Sequence, residues 1–176
     1  MIIEGRKKKP FSEKLVAEVT LYIAIRRDGA ILARDFNGGF GGLSSRTVYR
    51  YAEDIELCGF SPRIRQEKGE YVMGRDEEGD GCLERTGAPR SCDAHILRLD
   101  RILRIFDLYA DRYDEALYPE GGSYEDGLTE EPVHPDVTPT EVLETVRREQ
   151  PLTLRTVQRD LAVIAAALER YREIYY

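Results

Sequence analysis

Two stretches of this chain, 109 positions apart, share one pattern. Leu43-Ser44-Ser45-Arg46-Thr47-Val48-Tyr49-Arg50 returns as Leu152-Thr153-Leu154-Arg155-Thr156-Val157-Gln158-Arg159. The match continues in kind, Ala52 with Leu161, Ile55 with Ile164 and Gly59 with Leu168. Each copy opens on a hydroxyl residue, Ser44 or Thr153, able to cap a helix by accepting from its first-turn amides. The helical period puts Val48, Ala52 and Ile55 on one face, and Val157, Leu161 and Ile164 on the equivalent face, for burial. The faces left to solvent are Ser45, Arg46, Tyr49 and Arg50 in the first copy, and Leu154, Arg155, Gln158 and Arg159 in the second. Each carries two guanidinium groups four residues apart with a hydrogen-bonding side chain between them. That layout suits a helix in a DNA major groove, where Arg bonds guanine or phosphate and Gln bonds adenine. The helix starts and the hydroxyls of Thr47 and Thr156 favour nearby phosphate.

The surroundings of the first copy extend the pattern. Leu15, Val16, Val19, Tyr22 and Ile23 recur at helical steps over Ser12–Arg27, with Ser12 as N-cap and Asp28-Gly29 as stop. A shorter helix is expected over Ala30–Phe36. After the motif, Arg63-Ile64-Arg65 and Tyr71-Val72-Met73 flank Gln66-Glu67-Lys68-Gly69, which reads as a hairpin. Before the second copy, Ile96, Leu99, Ile102, Leu103, Phe106 and Tyr109 form a stripe along a helix over Ala94–Tyr113, with Arg98, Arg101, Arg104 and Asp107 on another face. That stripe suits either the core of the second unit or the pairing of two subunits.

This order of elements resembles the winged helix-turn-helix of DeoR-type and WYL-domain transcription regulators. The resemblance rests on Ser44–Arg50 with Gly59 and Gly69-Glu70-Tyr71-Val72-Met73, on Leu152–Leu161, and on Leu97–Tyr109 as the first helix of the second copy. It covers about residues 11–75 and 94–168. It implies a mainly α fold with a small β hairpin, built as tandem winged helix-turn-helix units, and operator binding through the motif helices. The departures are specific. Tyr51 stands where the family has the Asp that appears here as Asp160, the turn Asn37–Gly42 is long, and no hairpin follows the second copy. No stretch resembles the WYL ligand-sensing domain.

Charge divides along the same lines. The 176 residues carry a formal net charge of −7. Residues 1–75 have a balance of +4, whereas residues 114–139 hold eight acidic and no basic side chains. The second segment also holds seven Pro or Gly from Pro119 to Pro139, a composition that suits a solvated loop. Another run of breakers lies between Gly74 and Ser91. The expected organisation is therefore a first unit over 11–75, a linker over 76–92, and a second unit over 93–176 containing the acidic loop 114–139.

No run of apolar residues approaches the roughly 18–20 that span a bilayer, and no secretory signal follows the basic start, so a cytoplasmic protein is expected. Cys58, Cys82 and Cys92 then read as thiols. Cys82, Cys92 and His95 lack the spacing of a paired zinc motif, so neither a metal nor a cofactor is expected. No nucleophile–base arrangement and no phosphate-loop pattern accompanies the glycines of Gly38–Gly42, so no enzyme is expected. Of the eleven tyrosines, Tyr22, Tyr109 and Tyr113 lie on apolar helix faces as core residues.

The expectation is a double-stranded DNA-binding transcription regulator, alone or as a homodimer. Ser45, Arg46, Thr47, Tyr49 and Arg50, with Arg155, Thr156, Gln158 and Arg159, would face the bases and nearby phosphates. Arg63, Arg65 and Lys68 of the hairpin would touch the backbone. The rival is a tandem winged-helix scaffold for protein assembly, which the overall acidity fits but which has no use for arginine pairs at matched phase.

Overall fold

The computed structural model describes residues 12–59, 64–68, 70–73, 88–117, 136–146 and 152–175, with backbone alone at 30, 64–67 and 70–73. The chain is mainly helical. Helix α1 (Glu13–Asp28) is followed by strand β1 (Ala30–Leu32), α2 (Ala33–Gly39) and α3 (Ser45–Leu57). Strands β2 (Ile64–Glu67) and β3 (Glu70–Met73) come next, then α4 (Ala94–Leu108), α5 (Ala110–Leu117), α6 (Pro139–Val146) and α7 (Leu154–Tyr175).

Helix α1 starts and stops where the sequence predicts. Ser12 accepts from the Leu15 amide at 3.2 Å, and Gly29, at φ 72°, donates its amide to the Ile25 carbonyl. Only glycine takes that left-handed conformation without a Cβ penalty, so the helix ends there. Its burial exceeds the predicted stripe. Every residue from Leu15 to Ile25 is buried, including Glu18 and Thr20. A helix buried on all sides needs partners on all sides. The chief partner is α7, and α3 and α4 cover further faces. The Thr20 hydroxyl donates to the Val16 carbonyl at 2.7 Å and lies 3.5 Å from the Ala167 carbonyl oxygen. The C-terminal half of the second motif helix therefore lies directly on the first helix of the chain. The buried residues of front and back join in one cluster, from Leu15 to Tyr171.

The expected helix Ala30–Phe36 is corrected at its start. Ala30–Leu32 form a strand that pairs antiparallel with β3, Ile31 opposite Tyr71, in a sheet of order β1-β3-β2. The hairpin is present, with Gln66 opposite Tyr71 and Glu67 opposite Glu70. Its ladder reaches further than the sequence suggests, and Lys68 follows Glu67 at φ 49°, the conformation a tight two-residue turn requires.

The long turn after α2 has a physical reason. Gly41 and Gly42 have φ of 77° and 86°, and the amides of Gly42 and Leu43 both donate to the Asn37 carbonyl. At Gly39 an added Cβ would run into Cγ1 and Cδ1 of Ile174, near the end of α7. The Gly39 carbonyl also accepts from Arg170, whose guanidinium lies 5.0 Å from the Phe40 ring centre. Gly39→Ala is therefore expected to push α2 and α7 apart and to cost about 1–3 kcal/mol, as overpacking does. A urea midpoint unchanged from that of the parent chain would show that Ile174 moves aside freely.

In the back half the single helix Ala94–Tyr113 is corrected to two, broken at Tyr109. Asp93 caps α4 by accepting from the His95 amide at 2.9 Å. Ile96, Leu99, Ile102, Leu103 and Phe106 are buried within the chain, so the stripe is core and offers no pairing face for a second subunit. Tyr22, Tyr109 and Tyr113 are buried as expected; the Phe106 and Tyr113 rings stack at 5.2 Å. Helix α5 runs to Leu117 and Pro139 opens α6, so both ends of segment 114–139 are helical. Residues 118–135 lie outside the described residues, as does most of the expected linker 76–92.

Candidate nucleic-acid interface

The two motif copies begin their helices with the same local structure. The Ser44 hydroxyl accepts from the Thr47 amide at 3.3 Å and lies 3.0 Å from the Thr47 hydroxyl. The Thr153 hydroxyl accepts from the Thr156 amide at 3.2 Å and lies 3.0 Å from the Thr156 hydroxyl. Thr47 and Thr156 are half-buried, their hydroxyls engaged in the caps.

Beyond the caps the helical phase sorts the side chains as predicted. Val48, Ala52 and Ile55 of α3 are buried, as are Val157 and Ile164 of α7, while Leu161 is half-buried. Arg46, Tyr49 and Arg50 are exposed on α3, and Leu154, Arg155, Gln158 and Arg159 on α7; Ser45 is half-buried. Arg46, Arg50, Arg155 and Arg159 form no ion pair with a described residue, in contrast to Arg26, Arg101, Arg104 and Arg112, which meet carboxylates. Lys68 is exposed at the hairpin turn. Arg63 and the side chain of Arg65 lie outside the described residues.

The copies diverge after their shared turns. At Gly59, φ 86°, the chain leaves α3, whereas the matching Leu168 is buried in the middle of the 22-residue α7. The length that leads to a hairpin in the first copy extends the helix in the second, and this extension packs on α1.

Arg101, on a face of α4 other than the apolar stripe, finds its partner across the chain. Its guanidinium donates twice to Asp160, at 2.5 and 3.0 Å, and Asp160 is fully buried in the second turn of α7. Arg98 stands 3.9 Å from the same carboxylate. Asp160 falls in phase with Val157 and Ile164, and a carboxylate at a buried phase requires a cationic partner; that was the available signal. In the first copy Tyr51, also buried, occupies the equivalent position.

A second polar cluster forms where α1, α3 and α4 meet. Glu18 of α1 is fully buried, and its Oε1 is 2.8 Å from Nε2 of His95 on α4. Asp54 of α3 approaches the same imidazole at 3.9 Å and the Lys14 ammonium at 3.2 Å. Burial, reinforced by the neighbouring Asp54 carboxylate, pushes Glu18 up to about 9. Burial and then the Lys14 charge hold His95 below its ordinary value. This cluster is not legible in the sequence, because its members come from three separated helices.

Among the described residues no helix is long and apolar enough to cross a membrane. Cys58 is buried, Cys92 is exposed and both are free thiols; Cys82 lies outside the described residues. No protein-family model matches the chain, and neither do any of the curated proteins or solved structures compared with it.

Proposed function

We propose that this chain binds double-stranded DNA with the exposed starts of α3 and α7 and acts as a transcription regulator rather than an enzyme. The observation that carries the reading is the pair of identically capped helix starts, each presenting two arginines without a carboxylate partner among the described residues. An unpaired guanidinium keeps its full hydrogen-bonding fork for a phosphate or a guanine edge. The order α1-β1-α2-α3-β2-β3, with β3 central in the sheet, supports reading the front half as a winged helix-turn-helix. Helices α4, α6 and α7 then form a second unit. Because α7 also packs along α1, the two reading helices would hold a fixed relation and select a fixed spacing on the duplex.

Selection from a random duplex pool tests this directly. The expected result is an enriched motif, or two motifs at constant spacing. The affinity should fall steeply with salt, by about 10³-fold between 50 and 200 mM if about six phosphates are neutralised. A chain that retains no duplex at low salt is instead a protein-assembly scaffold.

A further inference from the structure

We propose that Glu18, Asp54 and His95 form a site for one divalent cation of the zinc class, bound where α1, α3 and α4 meet. The donor atoms lie within 4.8 Å of one another and come from the three helices that close the front of the molecule onto the back. The His95 Nε2 to Glu18 Oε1 separation is 2.8 Å and that to Asp54 Oδ2 is 3.9 Å. Ligands about 2.0–2.2 Å from a tetrahedral zinc stand about 3.3–3.6 Å apart. The observed separations bracket that span, so small side-chain adjustments close the set.

The second observation concerns Glu18 itself. Its side chain has no exposed surface, and its Oε2 has no hydrogen-bond partner among the described residues. Leaving a carboxylate oxygen buried and unsatisfied is costly, and a coordinated cation removes that cost. The local charges agree. The Asp54 carboxylate, the Glu18 carboxyl, whose proton a bound cation would displace, and a neutral imidazole face one ammonium, that of Lys14, which is about half exposed and 3.9 Å from Glu18 Oε1. A cation entering from that side displaces an ammonium already in contact with water. One imidazole nitrogen with two carboxylates suits zinc and its neighbours, whereas magnesium prefers an all-oxygen octahedron and keeps its waters. Three protein ligands leave the fourth position to water. Occupancy would tie the arginine-bearing α3 to α1 and α4. The site stands independently of DNA binding.

The test uses the whole chain, stripped with a chelator and titrated with zinc, with magnesium as control. Expected are one zinc bound per chain and a rise in melting temperature of several degrees at saturation, with no rise from magnesium. Glu18→Gln and His95→Gln should each abolish the rise. Cobalt should give visible d–d bands of a nitrogen and oxygen ligand set without a thiolate charge-transfer band; this reading does not depend on the variants folding. No zinc-dependent rise, a rise retained in both variants, or a thiolate band would each overturn the proposal. The last would place the metal on cysteine.

Discussion

Arg101→Met will destabilise the chain by about 3–5 kcal/mol, the usual consequence of removing one partner of a buried ion pair. Asp160 has no exposed surface and takes two hydrogen bonds from Arg101, so its charge would remain inside with neither water nor guanidinium. Arg98, already 3.9 Å from Oδ1, can swing toward the vacated position and reduce the loss. The full effect is therefore expected in the Arg98→Met, Arg101→Met double variant. Pairing Arg101→Met with Asp160→Leu should recover most of the stability, since both charges then leave together. Urea unfolding followed by circular dichroism measures all of these. If Arg101→Met unfolds at the parent midpoint, the pair contributes nothing to the hold on α7.

That pair marks the boundary of what the sequence could reveal. Local signals were legible. Ser12, Ser44 and Thr153 cap their helices, Gly29 stops α1, and Arg46, Arg50, Arg155 and Arg159 are exposed at the phases the 3.6 period assigns. Each of these depends on neighbours within a few positions. The relations across the chain were not legible. Nothing within Leu15–Ile25 says that α7 will cover the remaining side of α1, because Ala165–Leu168 reads as an ordinary apolar run until its partner is known. Strand β1 is three residues long and exists only because β3 offers it an edge, so Ala30–Leu32 kept the helical reading of its neighbours. Nothing local in the sequence singles out Glu18. Its burial is a consequence of His95 and Asp54 arriving from two other helices.

Removing the arginine pairs is expected to have the largest effect on DNA binding. Arg46→Ala with Arg50→Ala, or Arg155→Ala with Arg159→Ala, should each weaken a selected duplex by between about 30-fold and 10⁴-fold. The range corresponds to about 1–3 kcal/mol for each good bidentate contact. Stability should barely change, since these side chains are exposed and form no ion pair with a described residue. Replacing the same residues by Lys separates two roles. A lysine retains the charge that meets a phosphate but loses the planar fork that reads guanine. A position that tolerates Lys is a backbone contact, and its alanine variant should flatten the salt dependence by about one charge. A position that rejects Lys reads a base, and its loss should relax sequence preference. The two helices need not respond equally. The first is followed in the chain by the hairpin with Lys68, whereas in the second the corresponding chain forms the extension over α1. If alanine at Arg155 and Arg159 leaves binding intact while the first pair abolishes it, α7 is a brace for α3 rather than a second reader, and a single half-site would be selected. If neither pair matters, the exposed arginines are solvated surface and the DNA reading fails.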